Sequence, residues 1–330
     1  MVLTRQTAED GAAPPNAATG STPFHRLAFR AMGTQCQVDF ACESGPRARE
    51  FKADVLAWVE SFEARFSRFR PESLVSRINA RAGREAVELD DEAESLFGLV
   101  DWYHWSTGGL FDPSALPLLA LWDYHNPAAQ VPKPEAVAAA RAKVGWKKVV
   151  HKDRKLFLPE PGMGIDVGGI GKEYAVDCVL QMGQACGFPS IHVNFGNDLR
   201  VFGPAPQGGP WLVGLEDPRH PGECWGGLAV TKQAVTTSGD YLRFFSVDGR
   251  RFGHILDPRT GWPVANGCGS VTVVAPTCTE AGVLSTTAFI MGAEEGFRFI
   301  GGWRQAEGCL WHGDRRLQTE GFGNYVYTSR

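Results

Sequence analysis

Apolar residues recur every three or four positions from about Pro46, at Phe51, Val55, Trp58/Val59, Phe62 and Phe66, and predict an amphipathic helix ending before Pro71. A second helix is predicted from about Asp90 through Leu96, Leu99 and Tyr103. It has Asp90, Asp91 and Glu92 at its electropositive start and Gly108-Gly109 past its end. Pro134 to Lys143 reads as an Ala-rich helix closed by Gly145. Lys172 to Cys186 reads as another, with Tyr174/Ala175, Cys178/Val179, Met182 and Ala185 on its inner face and Gly187 as its cap. A last helix is expected from Thr279 to about Met291. Strand-like runs lie at Leu27 to Arg30, Cys36 to Phe40, Ile191 to Phe195 and Ser270 to Ala275. Leu242 to Val247 and Arg251 to Leu256 flank Asp248-Gly249, a hairpin signal. Strands and helices mix without regular βαβ alternation. The expected fold class is therefore α+β, one large domain over residues 24–330 behind a flexible leader at 1–23.

Composition narrows the function classes. The chain has 330 residues, 43% hydrophobic and 21% charged, which excludes wholesale disorder. A formal charge of −4 without any Lys/Arg run argues against a protein that works by neutralising nucleic-acid phosphates. The eight cysteines stand singly, with no C-x-x-C pair, and read as reduced thiols. Met1 to Pro23 lacks the apolar core of a secretion signal, and no run of about 18 apolar residues exists to span a bilayer. The expectation is a cytoplasmic protein.

One segment carries chemistry. Gly162 to Lys172 is rich in glycine and feeds straight into a predicted helix, so backbone N–H groups and a helix N-terminus are offered to an anion, with Lys172 adding a charge. It is not a Walker A loop: five positions before Gly171 stands Asp166, and Glu173 stands where Ser or Thr would be required. A Rossmann G-x-G-x-x-G fails as well. Neither G-x-S-x-G nor H-E-x-x-H occurs, which disfavours serine and zinc hydrolases. His254 stands apart from the other histidines, where a hairpin strand runs into the Asp257-Pro258 turn.

Seven blocks, in order, resemble the ApbE family of FAD:protein FMN transferases. They are Ala31 to Thr34; Phe66 to Leu74 with Arg77-Ile78-Asn79; Thr107 to Pro113 with Pro117 and Trp122; Ile165 to Lys172 with Tyr174 to Asp177; Val193 to Gly196; Thr237 to Tyr241; and His254 to Gly261. The resemblance implies a flavin transferase that splits the diphosphate of FAD and esterifies FMN to a Thr or Ser of a target flavoprotein. By the family's pattern Met32 and Phe69 lie against the flavin nucleotide and Phe111-Asp112 near its adenosine part. Asp166 and Lys172 bind FAD, and His254-Ile255 border the site, with His254 the candidate catalytic base. On residue type alone, Met32 and Phe69 suit a core equally well, and Asp112 and Asp166 suit turn caps.

The same resemblance implies magnesium, held by an Asp, by a Thr four residues later and by a backbone carbonyl. The Thr is Thr286 and the carbonyl is that of Gly169, but the Asp position is Gly282. Glu280 lies about 200° around the helix from it and cannot stand in. On this reading Gly282→Asp restores the ligand at no cost to the fold. A second departure is Asn197, where the family has glycine. Gly282 keeps two other readings open: a non-catalytic FAD-binding protein, and an FAD diphosphate hydrolase without a protein acceptor.

Overall fold

Eight strands form one antiparallel sheet in the order Phe24–Ala31, Thr34–Ala41, Ile191–Phe195, Asp198–Phe202, Ala234–Gly239, Cys268–Ala275, Glu307–His312 and Arg315–Gln318. The computed structural model describes residues 22–123, 130–241 and 243–327. Most of the expected leader, and Leu242 of the expected hairpin, lie outside the described residues. Two of the sheet's connections are two-residue turns with both central φ positive: Met32-Gly33 at 49° and 71°, and Gly196-Asn197 at 61° and 75°. Such turns match the strand twist and favour Gly and Asn, so Asn197 suits its backbone. Gly196 is held to glycine more tightly, since a Cβ there would lie 2.4 Å from the Thr34 hydroxyl.

The helices are α1 (Gly45–Phe66), α2 (Leu74–Ala80), α3 (Asp91–Ser106), α4 (Leu116–Trp122), α5 (Pro134–Arg141), α6 (Gly171–Ala185), α7 (Cys278–Met291) and α8 (Ala293–Gly301). α1 buries the predicted stripe of Phe51, Val55, Val59, Phe62 and Phe66. With α6 and α7 it covers one face of the sheet, where Phe40, Phe51 and Phe188 pack with ring centroids 4.8 to 5.0 Å apart. On the other face Leu199, Val201, Val235 and Val274 pack against a small sheet of Trp211–Glu216, Cys224–Val230 and Val326–Tyr327. This mixed architecture is the expected α+β class. α7 is buried on nearly every side, with 11 of its 14 residues inside, which marks a central rather than a surface helix.

Two expectations change. On α6 the residues inside are Gly171, Glu173, Ala175, Val176, Asp177, Val179, Leu180 and Gly183, while Tyr174, Cys178 and Met182 are only half-buried and Ala185 is exposed. The face is rotated from the apolar stripe because α7, packed alongside, supplies hydrogen-bond donors to a carboxylate. The hairpin pairs Phe244–Val247 with Arg250–Gly253, so its second strand stops at Gly253 and His254 follows it instead of lying within it.

All eight cysteines are free thiols, and burial pushes Cys36 and Cys309 up to about 11 and Cys178 and Cys268 up to about 12. These four are therefore protonated at neutral pH. No helix among the described residues is long and apolar enough to cross a membrane.

Candidate functional site

The loop ahead of α6 is fixed from several sides. Asn79, at the end of α2, both donates to the Ile165 carbonyl (3.0 Å) and accepts from the Ile165 N–H (2.7 Å). The Asp166 N–H bonds the Pro113 carbonyl at 2.8 Å, and its carboxylate accepts from the Gly168 N–H at 2.5 Å while pairing with Arg68. The Arg68 guanidinium lies 4.1 Å from the centroid of the Phe69 ring, which is 72% exposed. Gly168 and Gly169 present exposed backbone, and the edge of Phe111 lies 3.9 Å from where a Gly169 Cβ would be. Phe69, Phe111, Asp166 and Gly169 are thus brought to one loop. Asp112 has a local role as well: it accepts from the N–H groups of Ser114 (2.9 Å) and Trp146 (3.0 Å) and from the Ser114 hydroxyl (2.5 Å).

Lys172, in the first turn of α6, pairs with Asp198 and reaches Glu173 Oε1 at 3.3 Å. Met32 holds its turn by donating its N–H to Glu63 Oε2 at 3.1 Å. A cluster of hydroxyls joins the sheet to α7: Ser238 Oγ lies 3.0 Å from Thr286 Oγ1 and 2.8 Å from Ser285 Oγ, and Ser285 donates to the Gly282 carbonyl at 3.0 Å. His254 is anchored to the hairpin, its N–H and Nδ1 lying 3.1 and 3.2 Å from the Arg243 carbonyl. Ile255 is buried beside it and accepts from the Val264 N–H at 2.9 Å.

Sequence reasoning missed Glu173, Asp177 and Ser238 as site-building residues. Asp177 accepts from the N–H groups of Cys278 (2.8 Å) and Thr279 (2.9 Å), the Thr279 hydroxyl (2.7 Å) and Arg200 (2.9 Å). Glu173, one turn earlier on α6, faces Gly282, one turn later on α7: a Cβ added to Gly282 would lie 2.6 Å from Glu173 Cγ. The two helices therefore run antiparallel with 177 opposite 278–279 and 173 opposite 282. The signal in the sequence was the four-residue spacing of two acids on one helix. A cavity of about 560 Å³ between α1, α2 and the segment 88–90 ahead of α3, lined by Arg65, Glu72, Arg77 and Asp90 among others, holds none of the candidate residues.

Comparison with known proteins shows the family. The FAD:protein FMN transferase of Treponema pallidum is 30% identical over 282 residues, covering 80% of this chain and 78% of that protein. The Escherichia coli K12 protein of the same name is 25% identical over 289 residues, 86% of this chain and 82% of that one. The crystal structure of the Thermotoga maritima ApbE protein superposes with a TM-score of 0.84 at 31% identity, over 92% of this chain and 100% of that one. The flavin transferase ApbE of Vibrio cholerae gives 0.83 at 25% identity, over 92% and 99%. Residues 32–310 match the ApbE family as a whole, and the chain belongs to that family.

Proposed function

We propose that this chain is an FAD:protein FMN transferase: the hydroxyl oxygen of an acceptor Thr or Ser attacks the FMN-side phosphorus of FAD, the diphosphate bridge breaks, and AMP leaves. The observation that carries this is similarity over about four-fifths of the length of proteins with that named activity. The loop supports it independently. Phosphoryl transfer is mostly positioning and charge neutralisation, and the exposed Gly169 just ahead of α6, with Lys172 in the helix's first turn, supplies a backbone donor and a cation.

Met32, Phe69, Phe111 and Ile255 are the proposed contacts to the dinucleotide, with Asp166 and Lys172 holding it and His254 accepting the acceptor's proton. The residues present fit a magnesium ion. The Gly169 carbonyl and the Thr286 hydroxyl are hard oxygen donors, and a buried Glu173 carboxylate oxygen lacks a hydrogen-bond partner among the described residues. The chemistry magnesium supplies when bound is neutralisation of phosphate charge. Magnesium is held by one or two carboxylates together with waters and substrate phosphate, so these three protein oxygens suffice for a site that substrate completes.

Incubation with FAD, Mg²⁺ and a flavoprotein carrying the family's Thr-containing target tests the reading. In-gel flavin fluorescence of the acceptor, with AMP released, is expected. Free FMN without labelled acceptor would make the chain a hydrolase, and intact FAD would make it a binding protein only.

A further inference from the structure

Building on the reading of the chain as a cation-dependent flavin transferase, we propose that Glu173, reaching across from α6, is the protein carboxylate of the divalent-cation site, in the space a side chain at position 282 of α7 would fill. A Cβ on Gly282 would lie 2.6 Å from Glu173 Cγ, 3.1 Å from Cδ and 3.3 Å from Oε1. An Asp at 282 would carry its carboxyl carbon one bond, about 1.5 Å, beyond that Cβ. The Glu173 carboxylate, its Cδ 3.1 Å from that Cβ, therefore borders the space an Asp at 282 would enter, and Thr286 follows one turn later on the same helix.

Two observations set this apart from a simple buried ion pair. Glu173 is only 8% exposed, and its Oε2 has no hydrogen-bond partner among the described residues. A buried carboxylate oxygen left without a donor is unfavourable unless something positive meets it. Lys172 does not meet that need: it reaches Oε1, not Oε2, and also pairs with Asp198. The helix register is also fixed, because Asp177 clamps the start of α7 one turn further along α6. That register leads, one turn on, from Gly282 to Thr286 along α7, so carboxylate and hydroxyl share one seam, with the Gly169 carbonyl in the loop just ahead of α6. All three are hard oxygen donors of the kind magnesium takes alongside phosphate. This also overturns the expectation that Gly282→Asp is harmless: alone it would force a second carboxylate onto Glu173.

The test is Mn²⁺ binding followed by electron paramagnetic resonance on the full chain in the presence of FAD, with thermal melting to verify folding. Glu173→Gln keeps the volume and removes the charge; it should weaken Mn²⁺ by about tenfold or more, while FAD binding without metal persists. Moving the acid back, in Glu173→Ala with Gly282→Asp, should recover Mn²⁺ affinity to within a few fold of wild type. Unchanged Mn²⁺ affinity in Glu173→Gln, or a double variant no better than Glu173→Ala, overturns the assignment. Glu173-dependent Mn²⁺ binding without acceptor labelling would leave this assignment standing and sink the transferase reading. Labelling with Mn²⁺ affinity indifferent to Glu173 would do the reverse.

Discussion

Thr279 donates twice to Asp177, through its backbone N–H at 2.9 Å and its hydroxyl at 2.7 Å. The same carboxylate takes the Cys278 N–H at 2.8 Å and Arg200 at 2.9 Å. An acid on one helix thus satisfies the orphan donors, and favours the positive end, of the next. Because that anchor fixes where α7 begins, it also decides which residue of α6 meets Gly282.

Asp177→Ala should therefore be among the most destabilising single changes. It leaves Arg200 and two backbone N–H groups without their acceptor in the interior. Losing one partner of a buried pair is worth about 3–5 kcal/mol, and urea unfolding should show a loss of that order. A loss below about 1 kcal/mol would mean the cap is not holding α7.

Gly282→Ala tests the packing between α6 and α7 without adding charge. Helix propensity alone predicts a gain of about 1 kcal/mol. The added methyl, 2.6 Å from Glu173 Cγ, should outweigh it and give a net loss of about 1–2 kcal/mol. Combining it with Glu173→Ala should remove the penalty, and a double-mutant cycle by urea unfolding reads the coupling directly. Simple additivity would show that the two side chains do not compete for one space.

His151 gives a pH dependence with a definite sign. Its Nδ1 faces Asp101 at 2.6 Å and its Nε2 faces Glu94 at 3.1 Å, so both nitrogens meet acceptors. Burial works against the charged ring, but the hydrogen bonds and charges of Asp101 and Glu94 prevail and raise its pKa above the ordinary 6.5. The native state then binds more protons than the unfolded one. The stabilisation is complete below 6.5 and is lost as pH rises through the raised native value. The stability difference between wild type and His151→Asn should shrink as pH rises above 6.5 and through the raised native value. A difference that grows with pH would refute the pairing.

Four of the eight sheet strands and the apolar stripe of α1 were legible because their burial follows a simple period: Phe51, Val55, Phe62 and Phe66 are all inside. α2 and α4 were not, since seven residues are too few to show a helical repeat. The inner face of α6 was misread for a different reason. Glu173 and Asp177 look like solvent-facing acids until Cys278 and Thr279, about a hundred residues later, arrive to receive Asp177. Similarly, Asp166 could be read as a ligand residue or a turn cap; the structure shows it capping Gly168 and pairing with Arg68, an arrangement no local spacing announces. Arg68 and Asn79 brace the loop from a segment more than eighty residues earlier, and only the fold brings them there.

His254 is the last test, and its tautomer can be reasoned out. Nδ1 lies 3.2 Å from the Arg243 carbonyl, an oxygen that only accepts. In the neutral ring the proton must therefore sit on Nδ1, which leaves the lone pair on Nε2. A general base needs one ring nitrogen held by the scaffold, and the Arg243 carbonyl holds Nδ1 in that way. His254→Asn keeps a side-chain N–H able to reach the Arg243 carbonyl but removes the base, so it should lower FMN transfer by about 100-fold or more. FAD affinity, which we propose rests on the loop before α6, should stay within a few fold of wild type by calorimetric titration. A variant that transfers FMN at the wild-type rate would return His254 to a purely structural part in the hairpin. A variant that loses FAD binding and rate together would place it against the dinucleotide instead of beside the acceptor hydroxyl.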